Sequence, residues 1–269
     1  MDLNALGRQN PVGTPAPAAL RGVERQDERF FGGRRVRVDP DRGVVKAQRL
    51  RKVVVFGHSL IGRDMDAEGS LAKALLQFFG SFEAPPEVVV RGVTSSRVDQ
   101  WLGHANNWPG WAYDARYWYP MDAGPPVGQL LQDHPDADLF VVSLGANDVY
   151  GGIDPWELER RMLELERYFS QRKLPLVWIG HAWSRRANTR DRDVERSYSD
   201  VCLEAHRRTE TRLKEHDTTL FVYPRNPTLE FIYDSPRGGS LHPSPSIHRR
   251  FLRATSGELL AFLGADLVD

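Results

Sequence analysis

From Leu50 onward, short apolar runs, each ended by glycine or a polar residue, alternate with amphipathic stretches of helical period. Val53–Phe56 ends at Gly57, Val88–Arg91 at Gly92 and Leu139–Leu144 at Gly145; Leu176–Ile179 and Leu220–Tyr223 follow. Runs of four to six residues rich in Val, Ile, Leu and Phe, without polar alternation, are what a strand needs when both of its faces are covered. Between them, Gly69–Phe79, Asp193–His216 and Ser246–Leu263 read as helices. So does a stretch opened by Asp154 as N-cap, with Pro155 at the first helical position and Glu157 completing a capping box. In that stretch Leu158, Met162, Leu165 and Phe169 recur at spacings of 4, 3 and 4, one face of a helix. Strand–helix alternation of this kind predicts an α/β fold, a three-layer α/β/α sandwich around a mostly parallel five-stranded sheet with right-handed crossovers. Ligands of such sheets sit beyond the carboxyl ends of the strands, where strand order reverses.

Residues 1–48 differ: they are rich in Arg, Pro, Gly, Asp and Ala and lack periodicity. They read as a polar arm or disordered tail, with a protein partner for the arm as one role, and residues 49–269 as the folded domain. Lys plus Arg and Asp plus Glu balance at 36 each, so charge gives no reason to expect nucleic acid or a membrane surface as partner. No run approaches the roughly 20 apolar residues of a membrane span, and the N-terminus lacks the pattern of a signal peptide. As it stands, the chain reads as cytoplasmic, or as exported by another route. The single cysteine, Cys202, reads as a packed helix residue. Asp64 and Asp66 form an acidic pair with no His or Cys at ligand spacing, and no glycine-rich phosphate loop is present, so neither metal nor cofactor is implied.

Four polar residues or glycines stand at the ends of these runs. Ser59 follows the first strand in Gly57-His58-Ser59-Leu60; Gly92 ends the second; Asn147 lies in Gly145-Ala146-Asn147-Asp148 after the third; His242 precedes the last helix in Leu241-His242-Pro243-Ser244. Each alone also suits a turn, a cap or a surface loop. In this order they resemble the four blocks of the SGNH/GDSL hydrolase superfamily, over about Leu50 to Leu263. The resemblance implies a flavodoxin-like sandwich and a serine esterase. Ser59 would be the nucleophile and His242 its base. The Ser59 and Gly92 backbone N–H groups and the Asn147 side chain would form the oxyanion hole. Ester cleavage needs these parts: an activated hydroxyl, a base of near-neutral pKa and donors aimed at the tetrahedral oxyanion. The α/β-hydrolase elbow G-x-S-x-G is excluded, because position 61 is Ile.

Two positions depart from the family. His58 stands where G-D-S has Asp; it keeps a polar side chain and is itself a candidate local base. Gly239 stands where the family's D-x-x-H has Asp. A backbone carbonyl near Gly239 would then orient His242, or Asp234 would serve as third triad member, or the site would bind without catalysis. Between strands two and three an insertion carries Trp101, Trp108, Trp111, Tyr113, Tyr117, Trp118 and Tyr119, and the loop after strand four carries His181, Trp183 and several arginines. Aromatic platforms beside Asn and Asp suit stacking on sugar rings, with part of the set packing the loop onto the domain. Trp108, Trp111, Trp118 and Trp183 are the candidate substrate contacts. The expected reaction is removal of an acetyl or similar small acyl group from a carbohydrate. Transfer to a sugar hydroxyl, or carbohydrate binding without catalysis, are the alternatives.

Overall fold

The computed structural model describes residues 30–31, 33–39, 50–62, 71–93, 95–105, 126–180, 184–186, 192–214, 216–223, 233–235 and 245–268. Five strands form one sheet: β2 (Lys52–Gly57), β3 (Glu87–Gly92), β4 (Leu139–Ser143), β5 (Leu176–Ile179) and β7 (Thr219–Val222). Their order is β3-β2-β4-β5-β7, and every pairing is parallel. This is the flavodoxin-like order, in which the chain steps to one side of the first strand and then returns to the other. The switch point lies between β2 and β4.

Alternation along each strand divides the core. Val54 and Phe56 of β2, Phe140 and Val142 of β4, and Leu176 and Trp178 of β5 join one cluster; Val53 and Val55, Leu139 and Val141, and Val177 and Ile179 join the other. The first cluster is covered by α3 (Val98–Trp101), α4 (Pro126–Asp133), α6 (Pro155–Ser170) and α7 (Arg192–Leu213). The second is covered by α2 (Leu71–Gly80), α8 (Pro245–Ala254) and α9 (Ser256–Leu263). Successive side chains of a strand point to opposite faces, so a run without polar positions fills two layers at once. The three-layer sandwich expected from these runs is therefore the architecture found. Two short helices, α1 (Ser59–Gly62) and α5 (Ala146–Tyr150), follow β2 and β4 directly.

Helix α6 carries Leu158, Met162, Leu165 and Phe169 on its buried face, all fully sealed. Asp154 caps it, accepting the Trp156 and Glu157 N–H groups at 2.9 Å each. The reciprocal half of the expected capping box is replaced: both Glu157 oxygens are taken by Arg160 and Arg161, each at 2.8 Å, one turn further on. The expected closing helix is two helices. At the break the Thr255 hydroxyl donates to the Phe251 carbonyl at 3.0 Å, and the Ser256 hydroxyl to Arg253 at 2.7 Å. Such back-bonding competes with the helical ladder and bends it.

Two further pairs of strands lie outside the main sheet. β1 (Arg35–Val38) pairs antiparallel with β9 (Ala265–Val268), within the stretch read from sequence as an arm. Phe30 and Val36 of that stretch are buried in the second cluster, and Arg253 donates to the Phe30 carbonyl. β6 (Ser184–Arg186) pairs with β8 (Tyr233–Ser235) in parallel, joining the segment after β5 to the segment after β7. Among the described residues no helix is long and apolar enough to cross a membrane.

Candidate active site

The switch point brings three chain segments together. Gly57, the last residue of β2, is in register with Gly92 at the end of β3 and with Ser143 at the end of β4. Gly57 has φ +149°, and a Cβ there would lie 2.1 Å from the Ser143 carbonyl oxygen. Only glycine fits so close an approach of two backbones. Ser59 follows two residues later, opening α1, so its backbone stands at the carboxyl edge of the first strand.

His58 lies between them and is buried. Its N–H donates to the Ser143 carbonyl at 3.1 Å, and its Nδ1 accepts the Leu60 N–H at 3.3 Å. An acceptor facing the backbone just inside a helix start is what an Asp side chain supplies. His58 performs that service with a ring nitrogen. The arrangement also occupies Nδ1 as an acceptor, which argues against the local-base role for that nitrogen.

Beyond Gly92 the chain turns back against β2. Val93 N–H donates to the Gly57 carbonyl at 2.9 Å, and Ser95 takes the left-handed region at φ +62°. Ser96, fully buried, is the hub of this turn. Its hydroxyl donates to the Gly57 carbonyl at 3.5 Å and accepts the Trp101 indole N–H at 3.0 Å. Its carbonyl accepts the Asn147 side-chain amide at 3.0 Å. Trp101, grouped from sequence with an aromatic platform, is instead a sealed core residue tilted against Phe56. Helical spacing after Val98 turns it inward.

Asn147 sits one residue inside α5, whose N-cap, Gly145, has φ +109°. The side chain is half-buried. An amide nitrogen carries two N–H groups, so the bond to Ser96 leaves a second donor. Asp148 beside it is completely buried. Its two oxygens accept the Val98 N–H at 3.0 and 3.2 Å, and Arg161 of α6 approaches at 3.4 Å. Arg161 also pairs with Asp99 at 2.9 Å and Glu157 at 2.8 Å. Burial pushes the Asp148 carboxyl up to about 7, with nearby Asp99 in the same direction; the Val98 N–H, Arg161 and Arg97 act against them. Ser96, Asp148 and Arg161 were not singled out by sequence. The available signal was a carboxylate next to Asn147 in an otherwise apolar stretch.

Cys202 is buried in α7, as expected, and burial pushes its thiol up to about 12, far from a reactive thiolate. Of the other candidates, Asp234 lies in β8, its Cα opposite Arg185 of β6. Only the backbones of Ser59 and Asp234 are described. His242, Trp108, Trp111, Trp118 and Trp183 lie outside the described residues, as do Asp64, Asp66, His181 and Gly239.

No family model matches the sequence, and no curated relative does. Solved structures do match the fold. A carbohydrate acetylesterase family member from Sinorhizobium meliloti superposes with a TM-score of 0.52 at 16% identity, over 80% of this chain and 99% of that one. An aryl esterase from M. smegmatis gives 0.53 at 13%, over 79% and 99%. TesA gives 0.52 at 14%, over 78% and 98%. The five-stranded parallel sheet, its strand order and these superpositions agree: the chain shares the α/β/α fold of these three proteins.

Proposed function

We propose that this chain is a serine ester hydrolase that removes a small acyl group, acetyl above all, from a carbohydrate. The observation that carries the reading is the register at the switch point: the backbone of Ser59, the Gly92 strand end and the Asn147 amide stand at the carboxyl ends of three adjacent strands. The Ser59 hydroxyl attacks the ester carbon while His242 takes its proton. The Ser59 and Gly92 N–H groups and the free N–H of the Asn147 amide receive the oxyanion. Collapse expels the sugar alcohol, which takes the proton from His242 and leaves Ser59 acylated. Water, deprotonated by His242, then attacks the acyl-enzyme; as the bond to Ser59 breaks, His242 returns the proton to the Ser59 oxygen and the carboxylic acid departs. Asp234, on the strand pair that joins the two segments after β5 and β7, orients the imidazole in this reading. Trp108, Trp111, Trp118 and Trp183 contact the sugar. A fold shared with a carbohydrate acetylesterase is in keeping with the substrate class.

The test is hydrolysis of p-nitrophenyl acetate and of an acetylated oligosaccharide by wild type and Ser59→Ala. Turnover by wild type that Ser59→Ala loses supports the mechanism. Turnover retained by Ser59→Ala, or absent from wild type on both esters, overturns it. A wild type active on p-nitrophenyl acetate alone sinks the carbohydrate assignment and leaves the serine mechanism standing.

A further inference from the structure

An oxyanion donor is useful only where it is held, and two rungs join the segment that carries Asn147 to the turn after β3. Asn147 donates to the Ser96 carbonyl at 3.0 Å, and Val98 donates to the neighbouring Asp148 at 3.0 and 3.2 Å. Two consecutive residues of α5 thus clasp both sides of Arg97. The second rung requires a carboxylate with no exposure at all. A buried carboxylate is unfavourable unless it is paired and hydrogen-bonded. The charge is matched by Arg161, which stands on the helix whose Leu158, Met162, Leu165 and Phe169 are locked into the core. Asp99 and Glu157 hold that guanidinium from two other directions.

We propose that Asp148 is a positioning residue: clasped between the Val98 N–H and the Arg161 guanidinium, it fixes where the Asn147 amide stands relative to the end of β3. Its effect on catalysis rests on the esterase reading; its effect on the Asn147 amide does not. The groups facing it are Val98, Asp99 and Arg97 from the turn and α3, Arg161 from α6, and Cys202 from α7. Misplacing a reacting group by about 1 Å costs up to about 10²-fold in rate.

The experiment compares wild type, Asp148→Asn, Asn147→Ala and the double variant on p-nitrophenyl acetate. The Asn147 side-chain NH₂ signal is followed in ¹H–¹⁵N spectra, identified by its loss in Asn147→Ala. Asp148→Asn is expected to lower kcat by about tenfold or more with KM nearly unchanged, the pattern of an interaction used only in the transition state. It adds little in the Asn147→Ala background, because neighbours acting through one another are not additive. The NH₂ signal moves in Asp148→Asn and in Arg161→Gln. A loss that multiplies in full in the Asn147→Ala background, or an NH₂ signal unmoved by either variant, overturns the proposal. Should Asp148→Asn fail to fold, Arg161→Gln keeps the carboxylate and decides both readouts. A wild type silent on the ester, with the NH₂ signal still following Asp148, sinks the esterase reading and leaves the clasp intact.

Discussion

The Trp101 indole N–H donates to the Ser96 hydroxyl at 3.0 Å, in a place sealed from solvent on every side. The same serine receives the Asn147 amide on its carbonyl, so a core tryptophan and the Asn147 side chain share one support. Ser96→Ala removes the acceptor of the indole and the hydroxyl bond to Gly57. The expected cost is about 1–3 kcal/mol in urea unfolding, with kcat on p-nitrophenyl acetate lowered more than KM is raised. Unchanged stability and turnover would remove Ser96 from the account.

Gly57→Ala should be among the most damaging single changes. The added methyl meets the Ser143 carbonyl oxygen at 2.1 Å, and φ +149° is one that side chains rarely adopt. Because the obstacle is backbone of the central strand pair, it cannot move aside. A loss above about 2 kcal/mol is expected, read as a lowered urea midpoint or as insoluble protein. A midpoint equal to that of wild type would contradict the close approach of β2 and β4.

Asp148 gives stability a pH dependence of known sign. Its carboxyl titrates at about 7 in the fold, against an ordinary value of 3.8, so the native state holds the proton more tightly than the unfolded chain. The contribution is fully present below pH 3.8 and is lost as pH rises through about 7. Asn does not titrate and so serves as the pH-independent reference. The stability of wild type minus that of Asp148→Asn should therefore fall between pH 4 and 7 and level off above, measured by urea unfolding across the range. A difference that stays flat would refute the raised carboxyl.

His134 works in the opposite sense. It is buried at the end of α4, and neither ring nitrogen has a hydrogen-bond partner among the described residues. Burial, with the charges of Arg91 and Lys52, lowers it from 6.5 to about 4. The unfolded chain binds the proton first, so stability is lost as pH falls from 6.5 towards 4. His134→Leu should be close to neutral at pH 7 and more stable than wild type at pH 5. If Leu destabilises more at pH 5 than at pH 7, the histidine is not buried neutral.

The sheet was legible because its central strands are almost continuously apolar: Val53–Phe56 and Leu139–Val142 announce strands covered on both faces, and Gly57 and Gly145 mark where such runs stop. The order of Ser59, Gly92 and Asn147 along the chain became adjacency in space through the strand order. Asp148 and Arg161 were opaque, since 13 residues separate them and no periodicity links a carboxylate in a short helix to the next helix. Glu157 misled for a local reason: two arginines one turn away compete for it with the helix start. β9 was missed because Ala265–Val268 reads as a strand only opposite Arg35–Val38, a partner that no short window contains.

That last pairing sets an order of events during synthesis. All five strands of the main sheet have been made once residue 222 is added, whereas β9 ends at residue 268. In the fold Val36 is seated on the turn after α2, through its bonds with Ser81 and Glu83 at 3.1 and 2.8 Å. Without β9 the other edge of β1 would stand open, the kind of edge that recruits strands from other chains. Residues 265–268 close that edge, which makes this tetrapeptide a guard against pairing with other chains as much as a part of the fold.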